Sequence, residues 1–121
     1  PPMIPAGVEK MGCTVTSDLR TAVEGADAVV MLRIQHERPG DPLIPNTREY
    51  SRLWGLNAKK AAEWLTPQCC ILHPGPINRG VELSPDVADG PRSVILDQVQ
   101  NGVAVRMAIL YLLAGGGAAD V

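Results

Sequence analysis

Two clusters of polar residues, each following an apolar run, hold the groups in this chain best suited to chemistry. In the first, ADAVVMLRIQHER from Ala26 to Arg38, apolar Ala28 to Leu32 gives way to Arg33, Gln35, His36, Glu37 and Arg38. Arginine offers a rigid fork of donors that can grip a carboxylate or phosphate in bidentate fashion. In extended backbone Gln35 falls on the same side as Arg33, so the pair suits a small anionic substrate. The competing use of Arg33 is an ion pair with Asp27 or Glu37, and Arg38 suits bracing of the loop or of an adjoining domain through an ion pair.

The second cluster is His73-Pro74-Gly75-Pro76-Ile77-Asn78-Arg79-Gly80, after apolar Cys69 to Leu72. Two prolines around a glycine prevent regular strand pairing and leave carbonyl groups free to accept hydrogen bonds from a ligand amino or amide group. Gly75 also lets a ligand approach the backbone closely. His73 suits either acid–base work or a hydrogen-bonded structural role. No Ser-His-Asp or Cys-His unit is visible, and Gly115 to Gly117 follow a helix instead of opening one, unlike a phosphate-cradling loop. Cys70 and His73 lack the further spaced ligands of a metal site, so no metal is expected.

The elements that would position these clusters alternate between helix and strand. Ala28 to Leu32 lacks polar alternation and follows Glu24-Gly25, which predicts a short strand covered on both faces in a parallel sheet. Cys69 to Leu72 predicts a second buried strand, and in open α/β sheets ligands bind beyond the carboxyl ends of such strands. Upstream, an irregular entry over Pro1 to Pro5 leads to a short helix over Ala6 to Met11, stopped by Gly12. Cys13 to Thr16 predicts a strand, and Ser17 a cap for a helix through Glu24, with Asp18 in its first turn.

Four breakers, Pro39, Gly40, Pro42 and Pro45, make Arg38 to Asn46 a long connection, either a mobile substrate loop or a rigid surface linker. Thr47 to Trp54 and Asn57 to Leu65 predict two helices separated by Gly55, with Asn57 as cap and Thr66-Pro67 as stop. Trp54 and Trp64 are read as packing residues. Asp89-Gly90-Pro91 marks the start of a last helix, with Pro91 at its first position. On it Ile95, Val99, Val103, Met107 and Leu110 form one apolar stripe to about Ala114.

At 121 residues and 45% hydrophobic content the chain holds one domain, 1–121, of α/β class. A net charge of −2 gives no basic footprint for nucleic acid. Arg106 interrupts the longest apolar run, which falls short of the roughly 18 residues of a membrane span. The chain begins at Pro1, with no charged-then-apolar leader, and reads as a fragment or processed piece. Its three cysteines, Cys13, Cys69 and Cys70, are an odd number, with Cys69 and Cys70 inside a predicted buried strand; reduced, cytosolic core residues are expected.

Met31 to Arg38, Glu49-Tyr50, Gly55-Leu56, His73 to Glu82, Asn101-Gly102 and Val105 to Ala108 together resemble the C-terminal, aspartate-binding domain of the aspartate carbamoyltransferase family, in the family's order and over nearly the whole chain. The resemblance implies a parallel sheet flanked by helices, and transfer of a carbamoyl group from carbamoyl phosphate to L-aspartate in pyrimidine biosynthesis. It implies that Arg33 and Gln35 bind the aspartate carboxylates. The carbonyls of Pro74 and Gly75 would orient the reacting groups, with no cofactor and no metal. It also implies a cytoplasmic homotrimer of full-length chains, with dihydroorotase-like or regulatory subunits as further partners.

The family's Ser-Thr-Arg-Thr phosphate loop, its other carbamoyl phosphate ligands, and the domain's first strand, helix and leading arginine have no counterpart here. The expected fragment is an incomplete domain with an uncovered sheet edge, catalytically silent alone. Ornithine carbamoyltransferase, which shares the fold, resembles His-Cys-Leu-Pro at His73 to Pro76 and Ser-Met-Gly at Arg33 to Gln35. A cationic Arg33 would repel an ornithine ammonium, so aspartate is favoured. The alternative of another class is a non-catalytic assembly module.

Overall fold

In the computed structural model, which describes residues 4–34 and 46–115, the first regular element is a 3₁₀ turn at Val8–Met11, ended by Gly12 in the left-handed region at φ 83°. It is shorter than the helix expected over Ala6 to Met11. Cys13 to Thr16 forms no strand, because no described strand lies beside it to complete a ladder. Helix α1 spans Leu19–Val23 and is capped by Asp18, not Ser17. The Asp18 carboxylate accepts the Thr21 N–H at 3.0 Å and also the Thr21 hydroxyl.

Strands β1, Ala28–Val30, and β2, Cys70–Leu72, pair in parallel with Ala28 opposite Cys70, Val29 opposite Ile71 and Val30 opposite Leu72. Parallel pairing needs a long crossover, and the chain between the strands supplies it. β2 is bonded on both sides. The Cys70 N–H donates to Asp27 O and the Met31 N–H to Leu72 O, both at 2.9 Å. On the other side Ile71 donates to Arg92 O at 2.8 Å and accepts from the Val94 N–H at 3.0 Å, so Ser93 makes a parallel bridge to Ile71.

The strands are covered on one face only. Val29, Met31, Cys69 and Ile71 are buried, whereas Val30 and Leu32 are 55% and 65% exposed and Cys70 is exposed. Alternation of side chains sends these residues to the opposite face, where no described layer covers them. The expectation of strands buried on both faces is therefore corrected, and of the two adjacent cysteines only Cys69 lies in the core. That core gathers Val23, Leu56, Ala61, Leu65, Leu83, Val87 and Ile95 around the buried strand face, with Trp64 packed against it.

Helices α2, Thr47–Trp54, and α3, Ala58–Trp64, form where expected, capped by Asn46 and Asn57. The Asn57 side chain accepts the Lys60 N–H at 2.9 Å. Between them Gly55 is required by space, since a Cβ there would lie 2.4 Å from Val81 O and 2.5 Å from Ser51 O. Lys60 Nζ closes the end of α2 by donating to Arg52 O at 2.8 Å and Gly55 O at 2.7 Å, while lying 5.5 Å from the Trp64 ring centre. Burial pushes its ammonium below the usual lysine range.

A short helix α4, Pro85–Ala88, was not expected, and Asp89 ends it instead of opening the next. The last helix, α5, spans Ile95–Leu113 and so starts after Pro91. The reason is long-range: the Arg92 carbonyl accepts the Ile71 N–H and the Val94 N–H donates to Ile71 O, so the helical ladder opens only where the Gln98 N–H meets Val94 O. The anticipated stripe is also not buried. Ile95 is 7% exposed, but Val99, Val103, Met107 and Leu110 are all more than half exposed. No helix among the described residues is long and apolar enough to cross a membrane.

Candidate functional site

Parallel pairing delivers the carboxyl ends of β1 and β2 to the same edge of the sheet. Beyond β1 come Arg33, half-buried, and Ile34, 6% exposed. Gln35, His36, Glu37 and Arg38, with the Pro/Gly-rich connection up to Pro45, lie outside the described residues. Beyond β2 comes the Pro/Gly loop. Asn78 Nδ2 donates to Ile34 O at 3.1 Å, which ties the two ends together across the edge of the sheet. The structure thus places Arg33 on a segment that is hydrogen-bonded to the loop carrying Pro74 and Gly75.

Gly75 sits in the left-handed region at φ 68°, a conformation that disfavours any side chain, and the Gly75–Pro76 peptide is cis. A Cβ at Gly75 would meet nothing within 4 Å, so the backbone angle and not crowding within the chain asks for glycine there. Among the described residues no hydrogen bond ends on the carbonyls of Pro74 or Gly75.

His73 and Glu82 are completely buried beneath this loop. His73 Nδ1 accepts the Gly75 N–H at 2.8 Å, so the ring proton sits on Nε2, which faces Glu82 Oε1 at 3.2 Å. Both ring nitrogens are occupied within the protein, which favours the structural role of His73 over acid–base work. The same Glu82 oxygen accepts the Asn78 N–H at 2.6 Å, while Oε2 is buried with no hydrogen-bond partner among the described residues. From the other side, the His73 N–H donates to Gln98 Oε1 of α5 at 2.9 Å.

Around this centre Tyr50 of α2 is half-buried, and burial, followed by the charge of Glu82, pushes its hydroxyl above the usual tyrosine range. Arg79 turns outward and grips Asp89 with two hydrogen bonds of 2.6 and 2.9 Å, which holds the Asp89 carboxyl below its ordinary range. An open cleft of about 710 Å³ runs alongside α5 from Leu72 and Gln98 to Arg106 and Ile109. Among the described residues no three His, Cys, Asp or Glu side chains come together as metal ligands.

The sequence placed Asn78 in the second cluster and Glu82 in the family resemblance without giving either a role, and it did not single out Gln98. For Glu82 a signal existed, since a lone acid between Val81 and Leu83 in an apolar stretch is a buried charge in need of a partner. For Gln98 there was none.

A family model described as Aspartate/ornithine carbamoyltransferase, Asp/Orn binding domain, matches residues 6–113. The chain is 84% identical over 120 residues to the aspartate carbamoyltransferase catalytic subunit of Anaeromyxobacter sp. strain Fw109-5, covering 99% of this chain and 38% of that protein. Its identity to the corresponding subunit of Desulfotalea psychrophila is 62% over 113 residues, or 93% of this chain and 35% of that one. The chain thus spans little more than a third of the length of these relatives.

Among solved structures, ornithine carbamoyltransferase from Thermus thermophilus superposes with a TM-score of 0.73 at 24% identity, over 91% of this chain and 35% of that one, a likeness of fold. Aspartate transcarbamoylase from Trypanosoma cruzi in complex with carbamoyl aspartate and phosphate gives 0.64 at 26% identity, over 79% and 28%. With its parallel strand ends, its helices and nearly its whole length matched, the chain belongs to the aspartate/ornithine carbamoyltransferase family, within the Asp/Orn binding domain.

Proposed function

We propose that this chain supplies the aspartate-binding part of an aspartate carbamoyltransferase. The activity is transfer of the carbamoyl group of carbamoyl phosphate to the amine of L-aspartate, giving N-carbamoyl-L-aspartate and phosphate. The observation that carries it is the joined pair of strand ends, with Arg33 on one and, on the other, the Pro74 and Gly75 carbonyls, which accept no hydrogen bond among the described residues. Arg33, with Gln35, binds the substrate carboxylates. The two loop carbonyls accept hydrogen bonds from the reacting amino and carbamoyl groups. The amine attacks the carbonyl carbon of carbamoyl phosphate, the new C–N bond forms, the C–O bond to phosphate breaks, and the nitrogen gives up a proton. No covalent enzyme intermediate is needed, so catalysis rests on holding two substrates in attack geometry and stabilising charge on the leaving phosphate.

The names of the highly identical relatives support aspartate as acceptor. So does the charge of Arg33, which suits an anionic side chain and opposes an ammonium. The carbamoyl phosphate site lies in the length of the relatives beyond the match, so the chain alone is expected to turn over neither substrate. The working form in this reading is a cytoplasmic homotrimer of full-length chains in pyrimidine biosynthesis, open to association with dihydroorotase-like or regulatory subunits.

The test is a protein in which this chain is completed by the remaining length of the Anaeromyxobacter relative, assayed with aspartate and ornithine side by side. Carbamoyl transfer to aspartate is expected, with little to ornithine. Preference for ornithine, or no transfer to either, would sink the reading.

A further inference from the structure

The geometry points to Glu82 as a positioning residue that sets the carbonyl loop in register with the arginine-bearing end of β1. A continuous path of hydrogen bonds runs from one to the other. Ile34 O accepts from Asn78 Nδ2 at 3.1 Å, the Asn78 N–H donates to Glu82 Oε1 at 2.6 Å, His73 Nε2 faces that oxygen at 3.2 Å, and the Gly75 N–H donates to His73 Nδ1 at 2.8 Å. One carboxylate oxygen therefore receives donors from two points of the loop. Through His73 it fixes the Pro74–Gly75 peptide, which presents the Pro74 carbonyl and leads directly into that of Gly75, and through Asn78 it fixes the residue next to Arg33. This assignment rests on the proposed reaction and names what aligns its two binding elements.

The cost of the arrangement argues that it is more than packing. Glu82 and His73 are both 0% exposed, and Glu82 Oε2 is buried with no hydrogen-bond partner among the described residues. Leaving a buried polar atom unmatched is unfavourable, and an apolar side chain of similar volume would avoid it. What an apolar residue cannot do is accept two donors at one point. Leu56 N–H donates to Glu82 O at 2.9 Å and Leu83 is fully buried, so the backbone that carries the carboxylate is itself held rigidly.

The experiment uses the completed protein with Glu82→Ala, Glu82→Gln and Asn78→Ala, measuring saturation by aspartate and by carbamoyl phosphate separately and solving crystal structures of the parent and variants. Glu82→Ala is expected to raise KM for aspartate at least tenfold, with that for carbamoyl phosphate within about twofold. Its Pro74 and Gly75 carbonyls should move relative to Arg33 by about 1 Å, a misplacement of the size that costs on the order of a hundredfold in rate. Glu82→Gln keeps an acceptor oxygen and should restore aspartate KM to within about threefold of the parent. Asn78→Ala, at a half-buried site, should raise it several-fold and carries the test if Glu82→Ala does not fold. Unchanged aspartate kinetics in Glu82→Ala and Asn78→Ala, or equal weakening of both substrates, would overturn the assignment. If the parent transfers nothing to aspartate, the proposed function fails; the crystal structures still decide the register, since a loop that stays in place without the carboxylate removes the role of Glu82.

Discussion

His73 and Glu82 are completely buried and both nitrogens of the histidine ring are engaged, whereas along α5 Val99, Val103, Met107 and Leu110 stand more than half exposed with apolar side chains. The first region is closed by contacts this chain makes with itself. The second is an apolar surface of a kind monomeric proteins rarely leave in water. The difference teaches that the loop geometry of the site can be specified by this chain while the stability of its long helix depends on cover the described residues do not provide. The two meet at Gln98, whose side chain reaches from α5 to accept the His73 N–H.

The largest effect should fall on the site. In the completed protein Arg33→Ala should lose on the order of 3 to 6 kcal/mol of transition-state stabilisation, from two charge-assisted hydrogen bonds of about 1.5 to 3 kcal/mol each. Aspartate kinetics should carry the loss, and equal weakening of carbamoyl phosphate would make Arg33 a structural residue. Next comes a direct contrast between the two regions. Leu83→Ala removes a fully buried side chain and should cost about 2 to 5 kcal/mol in urea unfolding, while Met107→Ala in the chain alone should stay within about 0.5 kcal/mol. A comparable loss at Met107 would show that α5 is already covered, and the contrast would break.

Gly55→Ala should cost about 3 kcal/mol, because its Cβ would press on two backbone carbonyls that cannot rotate away. A neutral result by thermal melting would mean that the junction of α2 and α3 yields easily. The smallest effect concerns pH. The Arg79 hydrogen bonds lower the Asp89 carboxyl from its ordinary value of 3.8, so the stabilisation is present above that value and is lost as pH falls through the lower folded one. Both groups are exposed, so the change is slight. Asp89→Asn should flatten this part of the stability profile below pH 3.8, and an unchanged profile would remove the pair from the account.

Legibility in the sequence followed the range of the interaction responsible. β1, β2, α2 and α3 were readable because apolar runs, Asn57 and Gly55 act on their own neighbours. Pro91 misled because the signal Asp89-Gly90-Pro91 is local, whereas the competing bonds from Arg92 and Val94 to Ile71 cross more than twenty positions. The stripe on α5 is present in the sequence, yet periodicity reports which residues need cover and not whether it exists. Val30 and Leu32 were read as buried for the same reason. At the proposed site, Pro74, Gly75 and Arg33 drew the assignment by residue type alone, while Glu82 is matched to a ring nine positions away and showed only as a charge among apolar neighbours.

Ile71 deserves a last consequence. Its N–H and carbonyl both point to the 92–94 segment, its neighbours Cys70 and Leu72 bind β1, and its side chain is 1% exposed. For its amide to meet solvent, the bond from Ile71 to Arg92 must open at the very centre of the sheet. Fraying at the ends of helices leaves that bond intact. In deuterated buffer, then, this one amide should be among the last to exchange, and its rate would read the opening free energy of the whole folded unit.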